Sequence, residues 1–296
     1  GWDHAPTFFE TATVLAAWWF AREGADYIVW ETGMGGRLDA TNAVTSQVAV
    51  ITPIGMDHQK WLGDSLAQIA GEKAGIMKTG VPAVSAPQLA EARAVLEARA
   101  LQAGVTIEFV TEPWAGAAPG LPGSHQRWNA ALARAALRSA GVCVDAGAET
   151  EGLRRVVWPG RFQRVTENLV LDGAHNAEAV DVLVSAWREI FGGARASLVF
   201  GALRDKDAGQ LLRALRAVAD EVWLVPLSSA RGSSAAELRP VAEAAGFVAV
   251  HEGPVPQSLA EARAKERPVL VAGSLFLAGE VLALLEGAPS PRATAQ

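Results

Sequence analysis

Short apolar runs alternate with amphipathic stretches along almost the whole chain, and this rhythm restricts the fold more than any single motif does. Val48-Ala49-Val50-Ile51, Leu169-Val170-Leu171 and Ser197-Leu198-Val199-Phe200 are the length of strands and too uniformly apolar to leave one face wet. Strands buried on both faces belong to parallel sheets, and parallel strands need helical crossovers. The pattern predicts an α/β protein. Its helix starts are legible. Thr7-Phe8-Phe9-Glu10 has capping-box spacing and predicts a helix to about Arg22, ending before Gly24, with the apolar patch Leu15–Phe20 buried. Ser65-Leu66-Ala67-Gln68 repeats the signal and opens a helix that carries Lys73 and stops near Gly80. A strand near Ala83, a helix over Leu89–Ala103, a strand over Val105–Val110, a Pro- and Gly-rich loop over Glu112–Gly123 and a helix over Gln126–Ala140 follow.

A boundary falls at Trp158-Pro159-Gly160, after which the βα rhythm restarts. Strands are expected at Leu169–Leu171, Ser197–Phe200 and near Val222, Val248 and Val269. Helices should begin at Asn176 and Asp207, with a last one ending near Leu285. The chain thus divides into residues 1–158, residues 159–287 as a Rossmann-like domain, and a frayed tail over 288–296. At 296 residues, 50% hydrophobic and 20% charged, it has material for two cores. A net charge of −6 excludes nucleic acid as the main partner. The single cysteine, Cys143, excludes an internal disulfide framework and suits a reducing cytoplasm. No apolar run approaches the roughly 20 residues that span a bilayer, so no membrane partner is expected. The chain opens on Gly1 rather than Met, so its first residue is not read as the start of the gene.

The chemistry concentrates between Glu31 and Lys78. Tyr27-Ile28-Val29-Trp30 reads as a buried strand with Glu31 at its carboxyl end, and His58 lies in the loop after Val48–Ile51. In open parallel sheets, ligands bind beyond the carboxyl ends of the strands. Either residue alone reads as a cap or a surface histidine; together they suit a divalent cation. Magnesium prefers oxygen ligands, so the histidine leaves manganese open. Gly33, Gly35 and Gly36 permit close approach of a ligand, but no lysine of a phosphate-binding P-loop accompanies them. Lys73 has Glu72 beside it and could be a solvated surface lysine, yet Ala74-Gly75 permits close packing. A lysine buried near a cation must be neutral, and carbon dioxide can add to a neutral amine to give an anionic carbamate. Further on, Asp172 and His175 crown an apolar strand ahead of the N-cap Asn176. Arg161 follows the boundary, where a guanidinium could reach a phosphate or simply pair with an acid. Asp205-Lys206-Asp207 reads as a charged turn.

The Glu31–Lys78 stretch closely resembles the bifunctional dihydrofolate synthase/folylpolyglutamate synthase family of the Mur ligase superfamily. So do Gly123-Ser124-His125-Gln126-Arg127-Trp128-Asn129, Pro159-Gly160-Arg161-Phe162, Leu171-Asp172-Gly173-Ala174-His175-Asn176 and Gly201-Ala202-Leu203-Arg204-Asp205-Lys206-Asp207. The motifs stand in family order over nearly all of the chain. The resemblance implies a Mur-ligase-like central α/β domain with a parallel sheet, incomplete at its amino end, and a carboxyl-terminal glutamate-binding domain. It implies a cytoplasmic, monomeric, ATP- and magnesium-dependent ligase. Such an enzyme activates a dihydropteroate or folate carboxylate as an acyl phosphate and couples it to L-glutamate. Residue by residue, Glu31 and His58 match magnesium ligands and Lys73 the carbamylated lysine. Thr7, Phe9, Glu10, Asp39 and Ala40 match the pteroate site. Asn129, Arg161, Asp172 and His175 match the ATP site across the domain interface, with Lys73, His58 and Arg161 as the catalytic set.

The family's Gly-rich P-loop precedes everything in this sequence, which predicts a truncated ligase with little activity of its own. Two other readings remain: an inactive fragment or pseudoenzyme that binds pteridine or nucleotide, and a Mur-type ligase of cell-wall precursors. The run Gly36-Arg37-Leu38-Asp39-Ala40-Thr41-Asn42 resembles the folate branch and speaks against the last.

Overall fold

A computed structural model describes residues 5–288. The chain forms two units, residues 1–115 with 128–146 and residues 116–127 with 147–296. In the first unit, α1 (Phe8–Arg22) begins at the expected capping box. The Thr7 hydroxyl accepts the Glu10 N–H at 3.2 Å, and the Glu10 carboxylate accepts the Thr7 N–H at 2.7 Å. None of its residues is buried, which corrects the expectation for Leu15–Phe20. Its apolar residues run consecutively through Val14-Leu15-Ala16-Ala17-Trp18-Trp19 rather than along one stripe, so no single neighbour can cover them. The Arg22 guanidinium lies over the rings of Trp18 and Trp19, at 5.3 and 5.4 Å.

A 3₁₀ turn (Ala40–Ala43), capped by Asp39, leads to β1 (Ala49–Ile51) and the short α2 (Gln59–Leu62). α3 (Leu66–Ala74) starts at the Ser65–Gln68 capping box and closes at Gly75, a turn earlier than Gly80. β2 (Ala83–Ser85), α4 (Ala90–Ala103), β3 (Ile107–Phe109) and α5 (His125–Ser139) follow as expected. The three strands form a parallel sheet in the order β1-β2-β3, with Val50 opposite Val84 and Val84 opposite Glu108. Strand alternation splits the core between the two faces. Ile51 and Ala83 pack with Ile69, Met77 and Leu96, while Val84 and Val110 pack with Leu132 and Ala135 of α5. Tyr27–Trp30 takes no part in this sheet, contrary to expectation, and Val29 is 98% exposed. A strand is held by ladder partners, and among the described residues no strand pairs with this run.

The second unit contains four elements that the sequence reading did not name, the later helices over Ala235–Ala244 and Val255–Arg263 and, before them, α6 (Ala146–Arg155) and β4 (Gln163–Thr166). α6 buries no residue, and β4 alternates half-buried with exposed positions, so neither carries an apolar signal. The remaining elements are β5 (Leu169–Leu171), α7 (Ala177–Phe191), β6 (Ala196–Phe200), α8 (Ala208–Leu215), β7 (Ala219–Leu224), α9 (Ala235–Ala244), β8 (Ala249–Glu252), α10 (Val255–Arg263), β9 (Val269–Ala272) and α11 (Leu275–Leu285). The six strands run in the order β4-β5-β9-β6-β7-β8, antiparallel only between β4 and β5. Leu183, Trp187, Leu211 and Leu238 of α7, α8 and α9 cover one face, against Leu198 and Leu270. Leu259, Leu277 and Val281 of α10 and α11 cover the other, against Leu171, Val199 and Val271. Gly287 and Ala288 close α11 by donating to the Leu284 and Ala283 carbonyls. The rest of the tail expected to fray, residues 289–296, lies outside the described residues, as does Gly1. Among the described residues no helix is long and apolar enough to cross a membrane.

The turn between α8 and β7 is fixed by charge. The Arg195 Nε donates to Asp220 at 2.9 Å and the Arg216 Nη1 at 2.6 Å, while Arg195 also donates to the Ala217 carbonyl at 2.8 Å. The hydrogen bond from Arg195, then that from Arg216, holds the Asp220 carboxyl down at about 2. Its folded pKa lies below the unfolded value of about 3.9. The contribution is therefore complete above that value and is lost as pH falls through about 2. Asp220 is about half exposed, so solvent screening limits the effect to ~1 kcal/mol or less. Asp220→Asn should lower the unfolding midpoint at pH 7, and the gap to the parent should close in acid-titrated melts. A gap that persists at full size at pH 2 would assign the effect to packing instead.

Candidate active site

The loop Gly33–Asn42 is laid directly on the carboxyl end of α3. A Cβ on Gly36 would lie 2.9 Å from the Glu72 carbonyl oxygen, and one on Gly75 would lie 2.4 Å from the Arg37 Cβ. Only glycine lets the two backbones meet this closely. The Arg37 N–H donates to the Glu72 carbonyl at 2.8 Å, and the Arg37 guanidinium donates twice to the Glu72 carboxylate, at 2.9 and 3.1 Å. Glu72 is thus a partner of the loop rather than a free surface charge. Asn42 Nδ2 adds bonds to the Arg37 and Gly75 carbonyls at 3.1 and 3.2 Å.

This fastening shapes a cleft of about 300 Å³. Thr7, Phe9, Glu10, Asp39 and Ala40, the residues that the resemblance assigns to pteroate, all line it, together with Met34, Leu38, Trp61 and Leu62. Trp61 stands 69% exposed at its wall and has no marker in the sequence reading. Asp39 Oδ2 accepts the Met34 N–H at 2.8 Å, and Oδ1 accepts the Thr41 N–H at 2.9 Å. Burial by itself would raise the Asp39 carboxyl. The bonds from the Thr41 hydroxyl and from the Met34, Thr41 and Gly33 amides outweigh it and hold the group below its usual range. Asp39 is therefore a carboxylate already committed to shaping its own loop.

Lys73 is half-buried on α3. Desolvation lowers its pKa below the ordinary lysine value, opposed by the negative charge of Asp57. Asp57, which no pattern singled out, also accepts the His58 N–H at 2.7 Å and lies 3.8 Å from His58 Nε2. The structure so links His58 and Lys73 through one carboxylate. Glu31 is exposed just beyond Trp30 and belongs to neither contact. Among the described residues no three acidic, histidine or cysteine side chains gather as a metal-holding group.

In the second unit, Arg161, Asp172 and His175 converge where β5 ends. Asp172 accepts the Phe162 and Ala174 N–H groups, both at 2.7 Å, and His175 Nδ1 lies 2.8 Å from the Gly173 carbonyl. Gly173 leaves room here: a Cβ would lie 3.3 Å from the Arg161 guanidinium and 2.2 Å from Leu275. Burial raises the Asp172 carboxyl, although both amide bonds, Arg161 and His175 pull the other way. Asn129 sits on α5 in the first unit. Asp207 caps α8 through the Gln210 N–H at 2.9 Å, and Asp205 pairs with Arg231 at 3.1 Å, as a charged turn should. Among the described residues two that are not glycine hold positive φ, His58 at 54° and Phe162 at 41°. One is a residue that the resemblance assigns to the metal, and the other follows Arg161. Backbone strain of this kind persists where surrounding contacts over-determine it, and it concentrates at functional sites.

Residues 160–275 match the Mur ligase, glutamate ligase domain family. The dihydrofolate synthase/folylpolyglutamate synthase of Bacillus subtilis (strain 168) is 33% identical over an alignment covering 93% of this chain and 71% of that protein. The Escherichia coli (strain K12) protein of the same name is 34% identical, covering 96% and 71%. The chain belongs to the dihydrofolate synthase/folylpolyglutamate synthase family. Solved structures agree. A Mycobacterium tuberculosis folylpolyglutamate synthase complexed with ADP and AMPPCP superposes with a TM-score of 0.87 at 29% identity, covering 97% of this chain and 74% of that one. E. coli FolC in complex with DHPP and ADP gives 0.87 at 31%, covering 96% and 72%. A Yersinia pestis synthase complexed with AMPPNP and Mn ion gives 0.85 at 31%, covering 96% and 72%.

For this synthase-family chain, the environment of Lys73 is directly measurable. In carbon-dioxide-depleted buffer, competitive labelling with limiting acetic anhydride should titrate Lys73 below the ordinary value of about 10.4. Asp57→Asn should lower it further, because a charge that favours the ammonium is removed. Titration together with the exposed lysines would show that Lys73 is solvated after all.

Proposed function

We propose that this protein is an ATP-dependent ligase that joins the carboxylate of a dihydropteroate or folate to the amine of L-glutamate. The observation that carries the reading is the single cleft lined by Thr7, Phe9, Glu10, Asp39 and Ala40, fastened through Glu72 to the helix that bears Lys73. Phe9 and Trp61 offer aromatic surface for a planar pteridine, and Asp39 holds the loop between them. In the reaction, a carboxylate oxygen of the folate attacks the terminal phosphorus of ATP and ADP leaves. The glutamate nitrogen then attacks the acyl carbon, phosphate leaves, and a proton is released from the new amide. Arg161 is assigned to the charge of the transferring phosphate, with Asp172, His175 and Asn129 as nucleotide contacts.

Glu31, His58 and Lys73 are assigned to magnesium, with manganese as an alternative. By donor type such a set suits the ion if Lys73 is carbamylated, and burial shifts Lys73 in the direction of the neutral amine that carbon dioxide requires. A bound divalent ion would supply charge neutralisation for the phosphates. His58 stands in a left-handed turn, and the negative charge of Asp57 opposes the effect of desolvation on Lys73.

The gene product, given ATP, magnesium, L-glutamate and either dihydropteroate or tetrahydrofolate, should form one ADP and one phosphate per amide. Binding of pteridine or nucleotide without product would favour the pseudoenzyme reading, and turnover of a cell-wall precursor would favour the other Mur branch.

Lys73→Ala should lose most of this activity, and short carboxylic acids should restore part of it. A carbamate and a small carboxylate offer the same pair of anionic oxygens, whereas a missing ammonium would be replaced by amines. Rescue by amines, or an unimpaired mutant, would remove the carbamate from the mechanism.

A further inference from the structure

Lys78 ends the stretch that carries most of the chemistry, and nothing in the reading above gives it a task. It is half-buried, and its Nζ donates to the carbonyl oxygens of Asn42 and Val44, at 2.5 and 2.7 Å. These two acceptors lie at the carboxyl end of the 3₁₀ turn Ala40–Ala43. Such ends expose carbonyls without intrahelical partners and carry partial negative charge, which a cation stabilises. The opposite end of the turn is capped by the Asp39 carboxylate through the Thr41 N–H. One four-residue turn is therefore held by an anion in front and a cation behind. Trp30 Nε1 donates to the Thr41 carbonyl between them, at 2.9 Å.

The placement matters because Asp39 and Ala40 line the cleft while Asn42 and Val44 do not. We propose that Lys78 is a positioning residue of the substrate cleft: its ammonium clamps the back of the turn that sets Asp39 and Ala40 against a folate. The proposal rests on the cleft being the folate site. It makes Lys73 and Lys78 opposite in kind, one desolvated toward neutrality, the other used as a cation with three donors and no acceptor.

The test compares Lys78→Arg, Lys78→Met and Lys78→Ala in the gene product. Lys78→Met should raise KM for the pteroate or folate by roughly tenfold, the loss of about one charge-assisted hydrogen bond. KM for ATP and for glutamate should move less than about twofold, and Lys78→Arg should restore most of the loss. Hydrogen exchange should quicken at the amides of Thr41 and Val44. Ethylammonium should partly rescue Lys78→Ala and acetate should not, the reverse of the series at Lys73. Unchanged exchange at the turn, or equal rises in all three KM values, would overturn the clamp. Faster exchange with an unchanged folate KM would also overturn the positioning role. In that case Asp39→Ala decides the cause. If it too leaves the folate KM unchanged, the reading of the cleft has failed; if it raises that KM, only the role of Lys78 has.

Discussion

The contact on which the candidate site depends is backbone against backbone, with Gly36-Arg37 lying on Glu72, Lys73 and Gly75. A Cβ at Gly36 would come within 3.1 Å of the Lys73 carbonyl as well as 2.9 Å of that of Glu72. Each side chain beyond the glycines then finds a partner that only this distance permits: Arg37 on Glu72, Asn42 on the Gly75 carbonyl, Lys78 on the turn. The loop that lines the cleft and the helix that carries Lys73 therefore form one rigid piece. A side chain at either glycine would force the loop and the helix apart, which is why a Gly-rich loop unlike any phosphate cradle has glycines at these positions.

Much of this was legible in the sequence. Capping boxes gave the starts of α1 and α3 to the residue, because a side chain bonding to a backbone three positions on is a purely local event. The fully buried strands β5, β6 and β9 were equally plain, since strands covered on both faces are continuous apolar runs. Failures arose where apolar sequence and burial part company. Tyr27–Trp30 has the composition of a buried strand, yet Tyr27, Ile28 and Val29 lie exposed, because composition reports what a segment would bury and a ladder needs a second strand. α6 and β4 fail in the reverse sense, being regular backbone with little to bury.

The site divides in the same way. The five cleft residues were nameable because motif and fold travel together, but Trp61 and Asp57 were not. Trp61 follows the sharp turn at His58, whose φ of 54° no sequence pattern announces. Phe162 is the counterpart in the second unit. Its φ of 41° turns the chain so that its amide points at Asp172 while its ring is buried near Trp187. Local strain is accepted because an acid as buried as Asp172 must have donors on both oxygens.

Electrostatic character, finally, is decided by surroundings more than by residue type. Glu10 and Asp39 line one cleft, and each is bound into its own turn, so the acids there mainly shape the walls. Asp172 is the contrary case, a carboxyl whose burial outweighs two amide bonds and the opposing pull of Arg161 and His175. Lys73 is the same trade with the sign reversed: burial penalises the ammonium, and Asp57 returns only part of what desolvation removes. An anionic carbamate on that nitrogen would in turn be repelled by Asp57. The two states of Lys73 therefore favour different partners in the same place, and a divalent cation is the kind of partner that would tip the balance to the modified one.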